Sequence, residues 1–185
     1  MKKITLALAI ALLAVAAAAQ QPAPQATPPV RLAGDRISFV PPEGFKPLSR
    51  EDVLLKFGRR GEANAPELVY ANDTERQTVT VAVGFNGQNV PADRLPEVQR
   101  LLEADLERSL QGLKWRTREI IELNGTRFIH FHLRSAAVDT EIVNDMYVTV
   151  FDARLLIFNF NSTAALFDAH REALEKSARS ITVKP

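Results

Sequence analysis

Residues 114–162, KWRTREIIELNGTRFIHFHLRSAAVDTEIVNDMYVTVFDARLLIFNFNS, decide how the rest of the chain is read. The pair Asn124-Gly125 stands between two alternating runs, 115–123 and 126–135. A two-residue type I′ turn needs φ > 0 at both central positions, and Asn-Gly tolerates that best, so this is a hairpin. A third run, 141–151, follows a small loop, and Asp152-Ala153 turns it into a fourth, 154–161. The stretch therefore predicts a meander of four antiparallel strands.

Cross-strand partners in an antiparallel ladder share a face, so the turns assign side chains to faces. The Asn-Gly turn pairs Leu123 with Thr126, Ile121 with Phe128, Glu119 with His130 and Thr117 with His132. The Asp152-Ala153 turn pairs Phe151 with Arg154, Val148 with Ile157, Met146 with Asn159 and Asn144 with Asn161. For the middle loop the expected register sets His130 beside Met146 and His132 beside Asn144. One face then carries Ile129, Phe131, Leu133, Tyr147, Leu156, Phe158 and Phe160. The other has an apolar end (Ile121, Phe128, Val148, Val150, Leu155, Ile157) and a polar end. Both faces need cover, which predicts an α+β fold: an α/β/α-type sandwich with a central, curved antiparallel sheet flanked by helices.

Outside the meander the helical period appears twice. Leu95, Val98, Leu102, Leu106, Leu110 and Leu113 form one stripe over 93–110, with Pro96 in the first turn and Gly112 as a C′ residue. A last helix over 164–179 buries Leu166, Phe167, Leu174 and Ala178, and 180–184 reads as a closing β segment. Upstream, 36–40 is a short strand stopped by Pro41-Pro42, and Ser49 caps a short helix over 50–57 with Asp52 at the capping-box position. Residues 67–71 and 78–85 read as strands. In the second, Val79, Val81, Val83 and Phe85 oppose a face of small side chains (Thr78, Thr80, Ala82, Gly84) suited to close packing under a helix or loop.

The first 19 residues read as a secretory signal peptide: basic Lys2 and Lys3, an apolar run over 4–14, and Ala17-Ala18-Ala19 as an A-x-A cleavage site before Gln20. A retained anchor is the other reading, but the apolar run falls short of the roughly 20 residues a span needs. Residues 20–29, rich in Pro, Ala and Gln, predict an extended linker, leaving one domain over 30–185. The chain has no cysteine, so it has no disulfide, no thiolate metal site and no thiol-linked lipid. Loss of Lys2 and Lys3 takes the basic residues from 23 to 21 against 22 acidic ones, a net of −1 in place of +1. Such a balance offers no footprint for nucleic acid and no polybasic patch for an anionic membrane.

The order of parts resembles the PsbP-like superfamily. The resemblance rests on Pro-Glu-Gly-Phe at 42–45 after the opening strand, the Leu-Ser-capped helix ending Lys56-Phe57, and the final helix closing Lys-Ser-Ala-Arg-Ser-Ile at 176–181. That superfamily includes an extrinsic photosystem protein, a Ran-binding import factor and small exported bacterial proteins. The resemblance implies a central antiparallel sheet between helices, a binding or assembly role, and no shared catalytic set.

The polar end of the split face holds the candidate ligand-binding residues: Glu119, His130, His132, Asn144, Asn159 and Asn161. His130 and His132 lie two apart on one strand with Glu119 across from His130, an N,N,O set of the kind zinc accepts. A solvated sheet end is the plainer reading of the same residues. Trp115 is expected opposite Arg134, extending that face by one pair as a partner-binding anchor or as rim packing. His170 and the Arg59-Arg60 pair are expected at the surface. No G-x-S-x-G, H-E-x-x-H, phosphate-loop or dinucleotide glycine pattern occurs, and no cofactor is expected. The sequence thus predicts a non-catalytic periplasmic or secreted protein that binds a protein partner in the cell envelope. A small-ligand or metal-binding module is the alternative.

Overall fold

The computed structural model describes residues 27–184 apart from 59, 60, 74, 88 and 138. The leader expected over 1–19, most of the linker and the Arg59-Arg60 pair lie outside the described residues. From the N-terminal side the chain forms β1 (Val30–Leu32), β2 (Ile37–Phe39), β3 (Lys46–Pro47), α1 (Arg50–Phe57), β4 (Leu68–Ala71), β5 (Val79–Asn86) and α2 (Leu95–Ser109). There follow β6 (Lys114–Leu123), β7 (Thr126–Ala136), β8 (Glu141–Phe151), β9 (Arg154–Thr163), α3 (Ala164–Arg179) and β10 (Thr182–Val183). A seven-stranded antiparallel sheet runs β3-β4-β5-β9-β8-β7-β6, and β1-β2-β10 make a small second sheet.

The meander is present, and its two tight turns set the pairing expected of them. Leu123 faces Thr126 and Glu119 faces His130; Phe151 faces Arg154 and Asn144 faces Asn161. All four turn residues have positive φ: Asn124 at 49°, Gly125 at 80°, Asp152 at 47° and Ala153 at 57°. Both corners are therefore of the mirror-image type that matches strand twist.

The middle connection differs from expectation. Ala136 pairs with Glu141, and the Ala137 N–H donates to the Thr140 carbonyl at 2.8 Å. His130 therefore stands beside Tyr147 and His132 beside Asp145, not beside Met146 and Asn144. The error is one residue, and a one-residue slip moves every side chain of the partner strand to the other face. A second correction lies in β6, where a bulge between Trp115 and Thr117 inserts Arg116 as an extra residue. Trp115 then faces Leu133, and Lys114, not Trp115, faces Arg134. An inserted residue reverses alternation beyond it, which is why counting from the turn failed there.

Helices cover both faces of the large sheet. On one side α3 lies over β5, β8 and β9, and the core holds Phe128, Tyr147, Leu156, Phe158 and Phe160 against Phe167, Leu174 and Ala178. Ile37 and Phe39 of the small sheet join this layer. On the other side the expected leucine stripe of α2 packs on Ile129, Phe131, Leu133 and Val148. Beside it α1 packs Val53 on Val69 and Ala82. Phe128, Phe131, Phe158 and Phe160 are fully buried, and each such ring contributes about 1.5–3 kcal/mol.

Local chemistry explains the short elements. The Ser49 hydroxyl accepts the Asp52 N–H at 3.1 Å and donates to the Asp52 carboxylate at 2.6 Å, closing the first turn of α1. The small face of β5 is covered as expected. A Cβ added to Gly84 would lie 3.0 Å from the Pro66 Cα, so residues 62–66 rest directly on that strand.

Candidate functional site

The end of the sheet farthest from the two tight turns carries the polar side chains, and the register divides them between the faces. Glu119, His130 and His132 point to the α3 side. There they meet two residues the sequence reading did not single out, Asp145 and Tyr147. Asp145 is 6 % exposed and is the only carboxylate buried among the described residues. Its Oδ1 accepts a hydrogen bond from His130 Nε2 at 2.7 Å and lies 3.4 Å from His132 Nδ1. The Tyr147 hydroxyl donates to Oδ2 at 3.4 Å.

The rings lock this group in place. His130 stacks on Tyr147 with centroids 4.7 Å apart and planes 19° from parallel. His132 meets Phe167 of α3 edge-on at 5.2 Å, and Tyr147 meets Phe160 edge-on at 5.8 Å. Burial pushes the Asp145 carboxyl up, but the hydrogen bonds and charges of His130 and His132 together outweigh it and hold the group below the ordinary aspartate range. Burial, then the Asp145 charge and its hydrogen bond, push the Tyr147 phenol upward. Tyr147 is thus a fixed donor and Asp145 a fixed anion.

Glu119 sits on the edge strand, half outside this group. Its Oε1 is 3.9 Å from His130 Nδ1 and its side chain is 58 % exposed. The two histidines do not converge with it on one point, since both turn a nitrogen toward Asp145. Among the described residues no three His, Asp or Glu side chains are arranged to hold a metal ion. Among the described residues no serine or threonine hydroxyl hydrogen-bonds to a histidine; the imidazoles are engaged with carboxylates. Between the sheet and α3 a cleft of about 110 Å³ remains, lined by Arg116, His132, Asp145, Phe167, Arg171 and Glu175. The bulged residue Arg116 is part of its lining. A cleft this small admits a small polar group.

Asn144, Asn159 and Asn161 come together as expected, but on the opposite, α2-side face, away from the histidines. The Asn144 Oδ1 accepts from Asn159 Nδ2 at 3.1 Å and from Asn161 Nδ2 at 2.8 Å. Trp115 also lies on that side. It packs on Phe131 with centroids 5.2 Å apart and donates from Nε1 to Glu107 of α2 at 3.1 Å. Arg134 stays on the histidine side, 3.7 Å from Glu141. Trp115 and Arg134 therefore lie on opposite faces of the sheet, not side by side as expected. His170 is half-buried against Phe45, ring centroids 6.2 Å apart, more enclosed than a surface residue.

One signal for Asp145 was in the sequence. In the alternation Val143, Asp145, Tyr147, Thr149, Phe151 it is the single charged residue on a face that must be covered, and a buried charge needs partners. Only the correct register reveals that the partners are the two histidines.

No protein-family model matches the chain, and no curated protein matches it. Solved structures do. Cyanobacterial PsbP (CyanoP) from Synechocystis is similar at 14 % identity with a TM-score of 0.58, over 84 % of this chain and 91 % of that one. The Ran-binding protein Mog1p of Saccharomyces cerevisiae is similar at 14 % identity with a TM-score of 0.53, over 84 % and 94 %. LpqN of Mycobacterium tuberculosis, involved in cell envelope biogenesis, is similar at 15 % identity with a TM-score of 0.52, over 85 % and 90 %. At such identities the likeness is one of fold.

Proposed function

On the PsbP-like fold that this chain carries, we propose a non-catalytic exported protein that binds or assists another protein of the cell envelope. The observation that carries the reading is the tied state of the histidine end: the one carboxylate buried among the described residues is held by His130 and Tyr147, with His132 beside it. With His130, His132 and Tyr147 all gathered on Asp145 and packed on Phe160 and Phe167, this group fixes three strands and α3 to one another. The basic, apolar and small-residue order of residues 1–19 supports export, with cleavage before Gln20, a linker over 20–29 and one domain over 30–185. LpqN and Mog1p, one tied to envelope biogenesis and one a Ran-binding protein, support a binding or accessory role.

The test is chemical cross-linking of the protein in its own cells, followed by recovery through a C-terminal tag and mass spectrometry. One envelope protein held in stoichiometric amount, on a tagged chain beginning at Gln20, is the expected result. Repeated recovery of the chain alone, or with its leader intact in the cytoplasm, sinks the proposal. A second reading, a small-ligand or metal module, is favoured by the cleft beside His132. Calorimetric titration with zinc tests its metal form: heat that disappears in His130→Ala and His132→Ala supports it, and no heat in the unsubstituted protein removes it.

A further inference from the structure

Beyond that reading, the large sheet is forked at the end that carries the two tight turns. Strands β7 and β8 pair from Ala136 with Glu141 as far as Ile129 with Val148, yet β7 begins at Thr126 and β8 continues to Phe151. Residues 126–128 pair with β6 alone and residues 149–151 with β9 alone, so the two hairpin tips part from each other. Each tip is tied to a different element. The Val90 N–H donates to the Ala153 carbonyl at 2.9 Å on one tip. On the other, the Asn124 side-chain amide donates to the Ile181 carbonyl at 2.7 Å and the Thr126 hydroxyl to the Val183 carbonyl at 3.1 Å. Separate anchors hold the fork open, the pre-formed state usual for a small-molecule site.

The fork holds a cleft of about 660 Å³, a volume in the range of small-molecule sites. Val90, Leu95, Val150 and Val183 give it apolar walls. The side-chain oxygens of its lining are already engaged. The Thr149 hydroxyl donates to the Arg127 carbonyl at 2.8 Å, Thr126 donates to Val183, and both Asp152 carboxylate oxygens accept from the Arg36 guanidinium. Arg127 is different. It lies two residues before Ile129, as Val150 lies two after Val148, so both side chains stand on the α2-side face, where Val150 packs with Leu95. Its cross-strand neighbour is Glu122, but among the described residues its guanidinium forms no hydrogen bond or ion pair with that or any other carboxylate. Asp152 is offset by Arg36, which leaves Arg127 as the net charge of the described lining. An unpaired guanidinium beside apolar walls suits an anion that carries an apolar body. The charge gains charge-assisted hydrogen bonds, and the body takes the valine and leucine walls out of water.

We propose that the fork binds a monocarboxylate with an apolar body, its carboxylate on the Arg127 guanidinium and its body along Val90, Leu95 and Val150. The probe is 4-phenylbutyrate, with acetate as the charge alone and 4-phenylbutan-1-ol as the body alone. Each is titrated into ¹⁵N-labelled protein and followed through the backbone amide signals of Gly125, Arg127 and Ala153. The expected result is saturable shifts at all three signals with 4-phenylbutyrate. The alcohol is expected to bind about tenfold more weakly, the effect of one charge-assisted contact. Acetate is expected to bind at least about tenfold more weakly, for want of buried methylenes. Arg127→Gln, at an exposed strand position, is expected to bring 4-phenylbutyrate down to the level of the alcohol. Shifts that rise linearly without saturation overturn the proposal, as does equal binding of the alcohol or of acetate. These outcomes are read on the unsubstituted protein, so the test stands even where the variant does not fold. Binding of 4-phenylbutyrate that Arg127→Gln leaves unchanged overturns it as well.

Discussion

Asp145 lies on a strand face otherwise given to Val143, Tyr147 and Phe151, so its charge has to be met inside the protein. His130 and His132 meet it. Replacing Asp145 with Ala leaves two imidazoles and the Tyr147 hydroxyl facing an apolar gap, and is expected to lower unfolding stability by about 2–3 kcal/mol in urea titrations. The pH dependence has a fixed sign. A carboxyl whose native value lies below its unfolded value adds stability that is complete above the unfolded value, about 3.9 for aspartate, and is lost as pH falls through the lower native one. The stability difference between the unsubstituted protein and Asp145→Asn is therefore expected to be level above that value and to shrink as the solution is acidified below it. A difference that stays constant down to the acid transition removes Asp145 from the account.

At the scale of elements, turns and close approaches make the sharper predictions. Ala153 holds φ 57°, a region in which a side chain costs about 1 kcal/mol and glycine nothing. Ala153→Gly is expected to raise stability by about 0.5–1 kcal/mol, read as a higher denaturation midpoint. Gly84→Ala goes the other way. Its new Cβ would press on the Pro66 backbone at 3.0 Å, and a loss of about 1–3 kcal/mol is expected. The same contrast explains how much of the structure was legible in the sequence. Two-residue turns carry their own register, so Glu119 facing His130 and Asn144 facing Asn161 could be read from Asn-Gly and Asp-Ala. The run Ala136-Ala137 entering the third connection has no residue that demands a particular backbone, and nothing local marks the bulge at Arg116. One unmarked loop therefore separated the asparagines from the histidines, and one unmarked bulge turned Trp115 toward α2. The leucine stripe and the bounds of α1 and α3 were legible because periodicity and caps act within a few residues.

Over the whole molecule, the large sheet ends in two unlike edges. On one side stands β3, two residues long and closed by Pro47; on the other stands β6, ten residues with no strand beyond it among the described residues. A long free edge invites another strand, and this one is set with exposed Lys114, Arg116, Arg118, Glu119 and Glu122, and bent by its bulge. Replacing Arg116, Arg118 and Glu119 together with Val is expected to produce concentration-dependent oligomers in size-exclusion chromatography with light scattering. A triple variant that runs as a monomer at every concentration would show that the bulge alone guards the edge.

The small sheet closes the molecule in its own way. Strand β2 lies between β1 and β10, and Ser38 and Thr182, 144 positions apart, share a hydrogen bond of 2.7 Å between their hydroxyls. Any machine that releases the polypeptide from its amino end, whether a ribosome or a translocation channel, delivers Ile37 and Phe39 long before the partner that completes their cover. Until the final turn of α3 and the strand behind it emerge, those two side chains lie under an unfinished roof. A chain released only as far as α3, without β10, is therefore expected to leave Ile37 and Phe39 partly uncovered.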